Sequence, residues 1–530
     1  MLLTLLVWAY TLFLCWIYGA WFFKNQPPAL TVIAGMAVLT VFAEFFSLFF
    51  PLGWLIHLIL LAGAIFLLAT HRLPRPEFNL SVPGWLPLLV LLTAAVLVLV
   101  SATSRPSNPD TSLYHAQAIR WLETYPAVPG LGNLHGRLAF NSAWLVTNAL
   151  FSFAFLGLGS LHLSASVLFL SAFALFWPGL RDLQTGRVSA ASLLRLGFLP
   201  LGFYVLGGEL SSPGTDLPVS LLIWVVTLLS VESAETDQPG QLLLITLLAS
   251  FAVTVKLSAL PLLLLCLPAL WGAARRQLWQ VAACAGLVLL PFLARNVILS
   301  GYLLYPFPAL DWFSFDWKIP FQRVEDDRLD VLRFGRLGGP GELPAHFAEW
   351  FPLWWLRQTL NRRIIFIAAL LTPLSALLAR FKRPRLWAGW AALYTGVLFW
   401  LFSAPDYRFG YGFLLATLLT ALAPWFPPLL RRWPLLPTRS AALASGLLLA
   451  YLGLTLVLAF EPQTFTARLL LPAGYDRAPV EACGLANGQA WCARDFGFCS
   501  YADLPCTPSA RYWVELRGPT LRSGFRAVQP

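Results

Sequence analysis

Charge is scarce in this sequence: 12% of its 530 residues are Asp, Glu, Lys or Arg, against 58% that are hydrophobic. So little charge does not solvate a chain of this size, and its apolar stretches repeatedly reach the roughly 20 residues that cross a bilayer. A mean hydropathy of +0.70 agrees with a polytopic membrane protein. Also missing is a Gly-rich phosphate loop after a strand, which argues against a nucleotide or nucleotide-sugar site. The six histidines show no HExxH motif and no dense Cys/His spacing. No cofactor is therefore implied, although a divalent metal stays open. The net charge of +11 is scattered as short Arg clusters between apolar runs. That pattern fits membrane orientation and gives no reason to expect a nucleic-acid partner. The first apolar run, 1–23, lacks the basic flank and small-residue cleavage site of a signal peptide, so it is expected to remain as a span.

Apolar windows place spans near 1–22, 29–50, 52–70, 85–103, 161–178, 194–208, 216–231, 241–255, 257–271, 280–298, 364–379, 386–402, 410–428 and 440–460, about fourteen in all. The clusters Arg72/Arg75, Arg181/Arg187/Arg195, Arg275/Arg276, Arg380/Lys382/Arg383/Arg385 and Arg431/Arg432/Arg439 fall in alternate loops, which assigns those loops to the cytoplasm. The other polar segments then face outward: 104–160, "GGELSSPGTD" at 207–216, 300–361, "APDYRF" at 404–409 and the tail from Glu461. Residues 139–160 are apolar enough to span, but a span there would put the Arg181 cluster on the wrong side. An interfacial or re-entrant helix is expected instead. The stretch 241–271 is expected to break at "TVKLS", around Lys256. The 300–361 loop shows no obvious helix, and its tryptophans and prolines favour an ordered one. The expected fold is an all-α helical bundle over 1–460, with large outward loops at 104–160 and 300–361, and a Cys-containing extracytoplasmic tail over 461–530.

A charge within the hydrocarbon costs on the order of 3 kcal/mol, so ionisable groups at membrane depth default to being paired or functional. Here they share a side. Glu44 lies toward the outer end of its span, Glu209 and Asp216 flank an outer turn, and Lys256 marks the helix break. Arg295 closes the outer end of its helix, and Asp406 and Arg408 occupy another outer turn. Singly, each reads equally well as a snorkelling side chain or a local ion pair. Together they suggest the wall of one cavity, in which Lys256, Arg295 and Arg408 would suit a phosphate-bearing ligand entering from the bilayer.

The stretch "SNPDTSLYHAQAIRWLETYPAVPGLGNLHGRLAFNSAW", 107–144, sets polar groups directly after a span. Asp110 or Thr111 reads as the N-cap of a helix over 111–125, or Asp110 as a carboxylate fixed at the water–lipid boundary. On that helix His115, Ile119 and Leu122 share one face, while Arg120 and Glu123 share another that would put its polar edge in the cavity. The glycines of "VPGLGNLHGR" would present His135 and Arg137 on a tight loop, better suited to a sugar or acceptor than to a metal.

These residues resemble the GT-C class of integral membrane glycosyltransferases, which take sugars from polyprenyl-phosphate donors. "TVKLSALPLLL" at 254–264, "RNVILSGYLLYP" at 295–306 and "PDYRF" at 405–409 are similar to stretches met in that class. The combination "DTSLYH…VPGLGNLHGR…FNS", with "CSYADLPCTPS…LRG…GFR" in the tail, also resembles an uncharacterised family of bacterial polytopic membrane proteins. The resemblance implies a GT-C-like bundle in the bacterial inner membrane, with its active face and tail extracytoplasmic. It puts Asp110 in the place of the catalytic carboxylate, which would accept a proton from the acceptor hydroxyl. Lys256, Arg295 and Arg408 would hold the departing phosphate. The implied substrate-binding set is Glu44, His115, Arg120, His135, Arg137, Asn141, Glu209, Asp216, Lys256, Arg295, Tyr305, Asp406 and Arg408. Implied partners are the lipid-linked donor, membrane lipids and a glycan, lipid or protein acceptor. "NPDTS" is not a DxD pair, so no metal follows from it, and "RVEDDRLD" at 323–330 reads as a solvated surface, with a second acid as the alternative.

Four of the seven cysteines, Cys483, Cys492, Cys499 and Cys506, crowd the tail. They read as two disulfides in an oxidising compartment, with free thiols or a zinc site as the alternatives. Neighbouring pairs, Cys483 with Cys492 and Cys499 with Cys506, are expected to staple a segment too short to hold much core. Two other functional classes fit the composition: a lipid or glycan transporter, and a non-catalytic polysaccharide-assembly subunit.

Overall fold

Lipid offers backbone amides no partner, so a long apolar run satisfies them internally by becoming a helix. The computed structural model describes all residues except 71–84, 237–240, 271–274, 340, 380–383, 433–436, 495–497 and 529–530. Arg72, Arg75, Arg380, Lys382 and Arg383, assigned above to cytoplasmic loops, lie outside the described residues. Among the described residues, 10 helices are long and apolar enough to cross a membrane, from Leu2–Phe22 to Arg439–Ala459. Four of the fourteen windows are not among them: 257–271 is interrupted, 52–70 and 241–255 lie in helices shorter than 18 residues, and Pro384–Phe402, unbroken over 19 residues, is less apolar, with tryptophans, a tyrosine and glycines along it. Trp54–Thr70 has 17 residues, and Leu242–Val255 has 14 before the chain breaks. Helices such as Leu360–Leu378 and Arg439–Ala459 keep Leu371, Leu378, Leu447 and Leu458 exposed, the outward apolar surface that lipid would cover.

The break at Lys256 is where the sequence places it. Lys256 adopts an extended backbone after Leu242–Val255, and tight helical turns over Leu257–Leu265 follow. Residues 139–160 hold only the eight-residue helix Ala143–Leu150 and a short turn, Ala154–Leu156. At 1.5 Å per residue that helix is too short to span, and every one of its residues is buried in protein. The 300–361 loop departs from expectation by containing two helices, Phe321–Leu337 and Phe347–Leu356.

The tail adds strands to an otherwise helical chain. Strands β1 (Val480–Gly484), β2 (Gln489–Ala493) and β3 (Cys506–Thr507) form one sheet, antiparallel between β1 and β2 and parallel between β2 and β3. Strands β4 (Val514–Leu516) and β5 (Phe525–Ala527) pair antiparallel. Disulfides join Cys483 to Cys492 across β1 and β2, and Cys499 to Cys506. The tail borrows its core: Leu485, Ala490, Val514 and Phe525 pack with Trp121, Leu131, Leu134 and Leu138 of the first loop.

The five segments assigned above to one side do meet. Phe525 N donates to Pro129 O at 2.9 Å, Asn133 Nδ2 donates to Trp317 O at 2.8 Å, and Asn108 Nδ2 donates to Glu209 Oε2 at 2.7 Å. Trp354 Nε1 donates to Pro405 O at 2.6 Å, which ties the second loop to the 404–409 turn.

Candidate functional site

Asp110 starts a single wide π-helical turn, Thr111–His115, which then tightens into the α-helix Ala116–Thr124. Such turns recur at functional sites, where they aim side chains out of helical register. The Asp110 side chain makes no capping bond. Its backbone N–H donates instead to Asn108 Oδ1 at 2.9 Å, while Ser107 N and Asn108 N both donate to Ser212 Oγ at 3.1 Å. The backbone is held, while the carboxylate is not spent on its own helix. Arg408 faces it, Nη1 to Oδ2 at 3.6 Å, with both side chains about 30% exposed or less.

Arg408 in turn is placed by the 404–409 turn. Asp406 caps the helix Tyr407–Leu422 by accepting from Arg408 N at 2.9 Å, and Trp400 Nε1 donates to Asp406 O at 2.7 Å. Arg408 Nε lies 3.6 Å from the Asp406 carboxylate. Neither ion pair is within hydrogen-bond distance, so the guanidinium retains donors for a ligand. Asp216, at the start of helix Asp216–Thr236, pairs with Lys256, whose ammonium also sits 3.5 Å from the centre of the Phe409 ring. Glu209, Asp216, Asp406 and Asp110 all act electrostatically on Arg408. Four carboxylates and two cations thus make one cluster.

His115 lies beside it, 2% exposed, and neither ring nitrogen has a hydrogen-bond partner. Burial, opposed by Asp110 and Asp216, pushes its imidazole down to about 4. The ring is neutral at physiological pH. Tyr114, 4.3 Å away between ring centres, is pushed up chiefly by burial and next by Asp110.

Seven candidates lie elsewhere: Glu44, Asn141, Arg295, Arg120, His135, Arg137 and Tyr305. Arg295 does not join Lys256 and Arg408: its Nη1 donates to Ser47 Oγ at 2.7 Å and its Nε to Asn141 Oδ1 at 3.2 Å, and buried Glu44, on the helix that carries Ser47, acts on it electrostatically. The adjoining cavity, lined by Tyr125, Asn141 and Arg295, holds about 30 Å³. That is room for a water or two, far below what a sugar phosphate needs. Glu44, Asn141 and Arg295 therefore form an internal polar knot of the bundle. The helix carrying Arg295 packs against Pro28–Ser47, and the packing brings these groups together away from Asp110.

Arg120 is committed to the tail. Its Nη1 donates to Tyr501 O at 2.7 Å, and its other amino group pairs with Asp503. Glu123, on the same edge, accepts from Ser160 Oγ at 2.6 Å and from Tyr501 Oη. The polar edge expected in the cavity instead docks the tail. Ser500 N donates to Ser112 O at 2.9 Å, so the tail also grips the turn that carries Asp110.

His135, Arg137 and Tyr305 gather around a second place. His135 and Arg137 line a cavity of about 340 Å³, together with Arg323, Asp327, Arg511 and Trp513. Tyr305 Oη donates to Asp327, and the missing side chain of Gly136 makes the space that the Asp327 carboxylate fills. Asp327 thus departs from the solvated surface read into "RVEDDRLD", since burial raises its carboxyl above the ordinary range. Glu325 and Arg328, both part-exposed, form an i,i+3 ion pair that fits the surface reading. The spacing of the acidic residues around one helix would have separated them, because Asp327 lies on the opposite side from that pair. Burial, then Arg511 and Arg137, pushes His135 down to about 3. Among the described residues, no group of three or more His, Cys, Asp or Glu is placed to hold a metal ion.

Fold and site define a polytopic helical protein with membrane-crossing helices, a charged cluster and a mixed-charge cavity on its loop-bearing face. The chain belongs to the family described as a domain of unknown function, DUF8201, whose match covers residues 1–415 and so includes Asp110, Lys256 and Arg408 but not the disulfide-bearing tail. Neither a curated protein nor a solved structure matches it.

Proposed function

We propose that this protein is a GT-C-like glycosyltransferase that moves a sugar from a polyprenyl-phosphate donor to an acceptor hydroxyl at the outer face of the bacterial inner membrane. One observation carries the reading: Asp110 sits at a helix start, caps nothing, and faces a guanidinium whose donors are not used up. In the proposed reaction the acceptor oxygen attacks the anomeric carbon as its proton passes to the Asp110 carboxylate. The bond from that carbon to the phosphate oxygen breaks, and the polyprenyl phosphate leaves toward Arg408. General-base catalysis of this kind contributes roughly 10²–10⁴-fold. Lys256 holds Asp216 and does not share the phosphate, and Arg295 has no part in it. Four carboxylates against two cations suit proton acceptance and leave Arg408 to receive the leaving group.

The test is sugar transfer in membranes supplied with radiolabelled polyprenyl-phosphate sugar, comparing the parent with Asp110→Asn. The variant is expected to fold normally and lose at least a hundredfold in rate. Transfer at the parental rate would remove Asp110 as the base. Flux of label into sealed vesicles without covalent transfer would instead establish a transporter.

A further inference from the structure

The 340 Å³ cavity is walled by three separate parts of the chain: the first loop with His135 and Arg137, helix Phe321–Leu337 with Arg323 and its aspartates, and the tail with Arg511 and Trp513. Three guanidiniums converge there, and none of them makes an ion pair within 4.0 Å among the described residues. Arg323 lies over the Trp513 ring, and Arg511 lies 5.3 Å from its centre. The Nη1 of Arg323 is buried without a hydrogen-bond partner. Arg511 spends only its Nε, on Thr507 Oγ1 at 3.2 Å, and Arg137 lies 5.1 Å from the centre of the Phe140 ring. Burying cations with unfilled donors is costly unless an anion completes them.

The helix that brings Arg323 also brings acceptors. Asp326 and Asp330 line the cavity and are exposed; Asp326 accepts from Gln322 at 3.1 Å and Asp330 from Arg333 at 2.8 Å, each through Oδ1, which leaves the second carboxylate oxygen, and Asp327, bonded by Tyr305, adds a third carboxylate. A bare anion would meet repulsion from these carboxylates, and a neutral sugar would leave the arginines unfilled. A molecule carrying both an acidic group and hydroxyls satisfies both sets of side chains. The cavity also falls within the size range of small-molecule sites. Three rings lead from it toward Asp110: Tyr305, bonded to Asp327, lies 5.5 Å from Phe140, and Phe140 lies 6.3 Å from Tyr114 between ring centres.

We propose that this cavity binds an acidic saccharide, its carboxylate or phosphate held by Arg137, Arg323 and Arg511 and its hydroxyls by Asp326 and Asp330. Linked toward Asp110 through Phe140 and Tyr114, it would be the acceptor subsite of the proposed transferase; that assignment rests on the proposed reaction, whereas the binding does not.

Binding is measured on the full chain in lipid nanodiscs by calorimetry, with glucuronate, glucose 6-phosphate and neutral glucose as probes. At least one acid should bind saturably, and at least tenfold more tightly than glucose. Glucuronate alone would point to a uronic acid, and the hexose phosphate alone to a phosphorylated sugar. Arg137→Gln and Arg511→Gln should each weaken the acid at least tenfold. In the parent chain, the bound acid should slow phenylglyoxal labelling of Arg137, Arg323 and Arg511 several-fold by mass spectrometry, a readout that needs no variant to fold. Equal binding of glucose and both acids, no binding of either acid at millimolar concentration, or unprotected arginines would overturn the proposal. Binding with no sugar transfer would leave this site standing and remove the transferase.

Discussion

Asp110 and Asp406 are both aspartates at helix starts, yet only Asp406 closes onto its own helix, and the difference decides which one is available for chemistry. Lys256, Asp216 and Arg408 were legible in the sequence as charges at membrane depth, because their cost requires partners. Arg295 was equally conspicuous, but position along one helix does not say which neighbouring helix packs on it. Ser47 and Asn141 do, and they take it away from the cluster. Asn108 and Ser212 escaped notice because a backbone-holding side chain has no sequence pattern of its own. His115 gives a test at this scale. Its folded value of about 4 lies below the ordinary 6.5, so folding favours the neutral ring. The stability it confers is fully present above pH 6.5 and is lost as pH falls toward 4, by up to about 3 kcal/mol. Thermal melts of the parent should therefore fall more steeply from pH 7 to 4.5 than those of His115→Gln. Parallel profiles would show that this ring is not buried neutral.

Among the elements, the break at Lys256 was readable because each apolar half was too short to span alone. The helices of the 300–361 loop were not, since Phe321–Leu337 carries only Val324 and Gly335 buried and so has a weak apolar stripe. Cysteine spacing foretold the staples of the tail but not its docking, because the partner surface lies some 350 residues earlier. The contact is close at two glycines. Gly130, at φ +65°, would place a side chain 2.1 Å from Phe525 O, and Gly524, at φ +91°, would place one 2.2 Å from Pro129 O. Gly130→Ala should therefore loosen the tail by about 1–3 kcal/mol. Limited proteolysis should cut the 461–530 segment of this variant several-fold faster than in the parent, with the bundle untouched. An unchanged cleavage rate would mean that the tail does not depend on this contact.

For the whole molecule, a chain that is 12% charged brings its loops to one face and assembles there the groups that lipid would not tolerate unpaired. Hydropathy made that layout legible, whereas the division into a charged cluster, an internal knot and a separate cavity required packing across the whole length. The central claim is that the cluster around Asp110 and Arg408 handles a lipid-linked sugar phosphate. Mass spectrometry of lipids that co-purify with Asp110→Asn and with Arg408→Gln tests it most directly. Polyprenyl-phosphate sugar is expected on the first variant, trapped because binding survives while chemistry stops, and at least a tenfold loss is expected on the second. Absence of any polyprenyl-phosphate species from the Asp110 variant and the parent alike would contradict it.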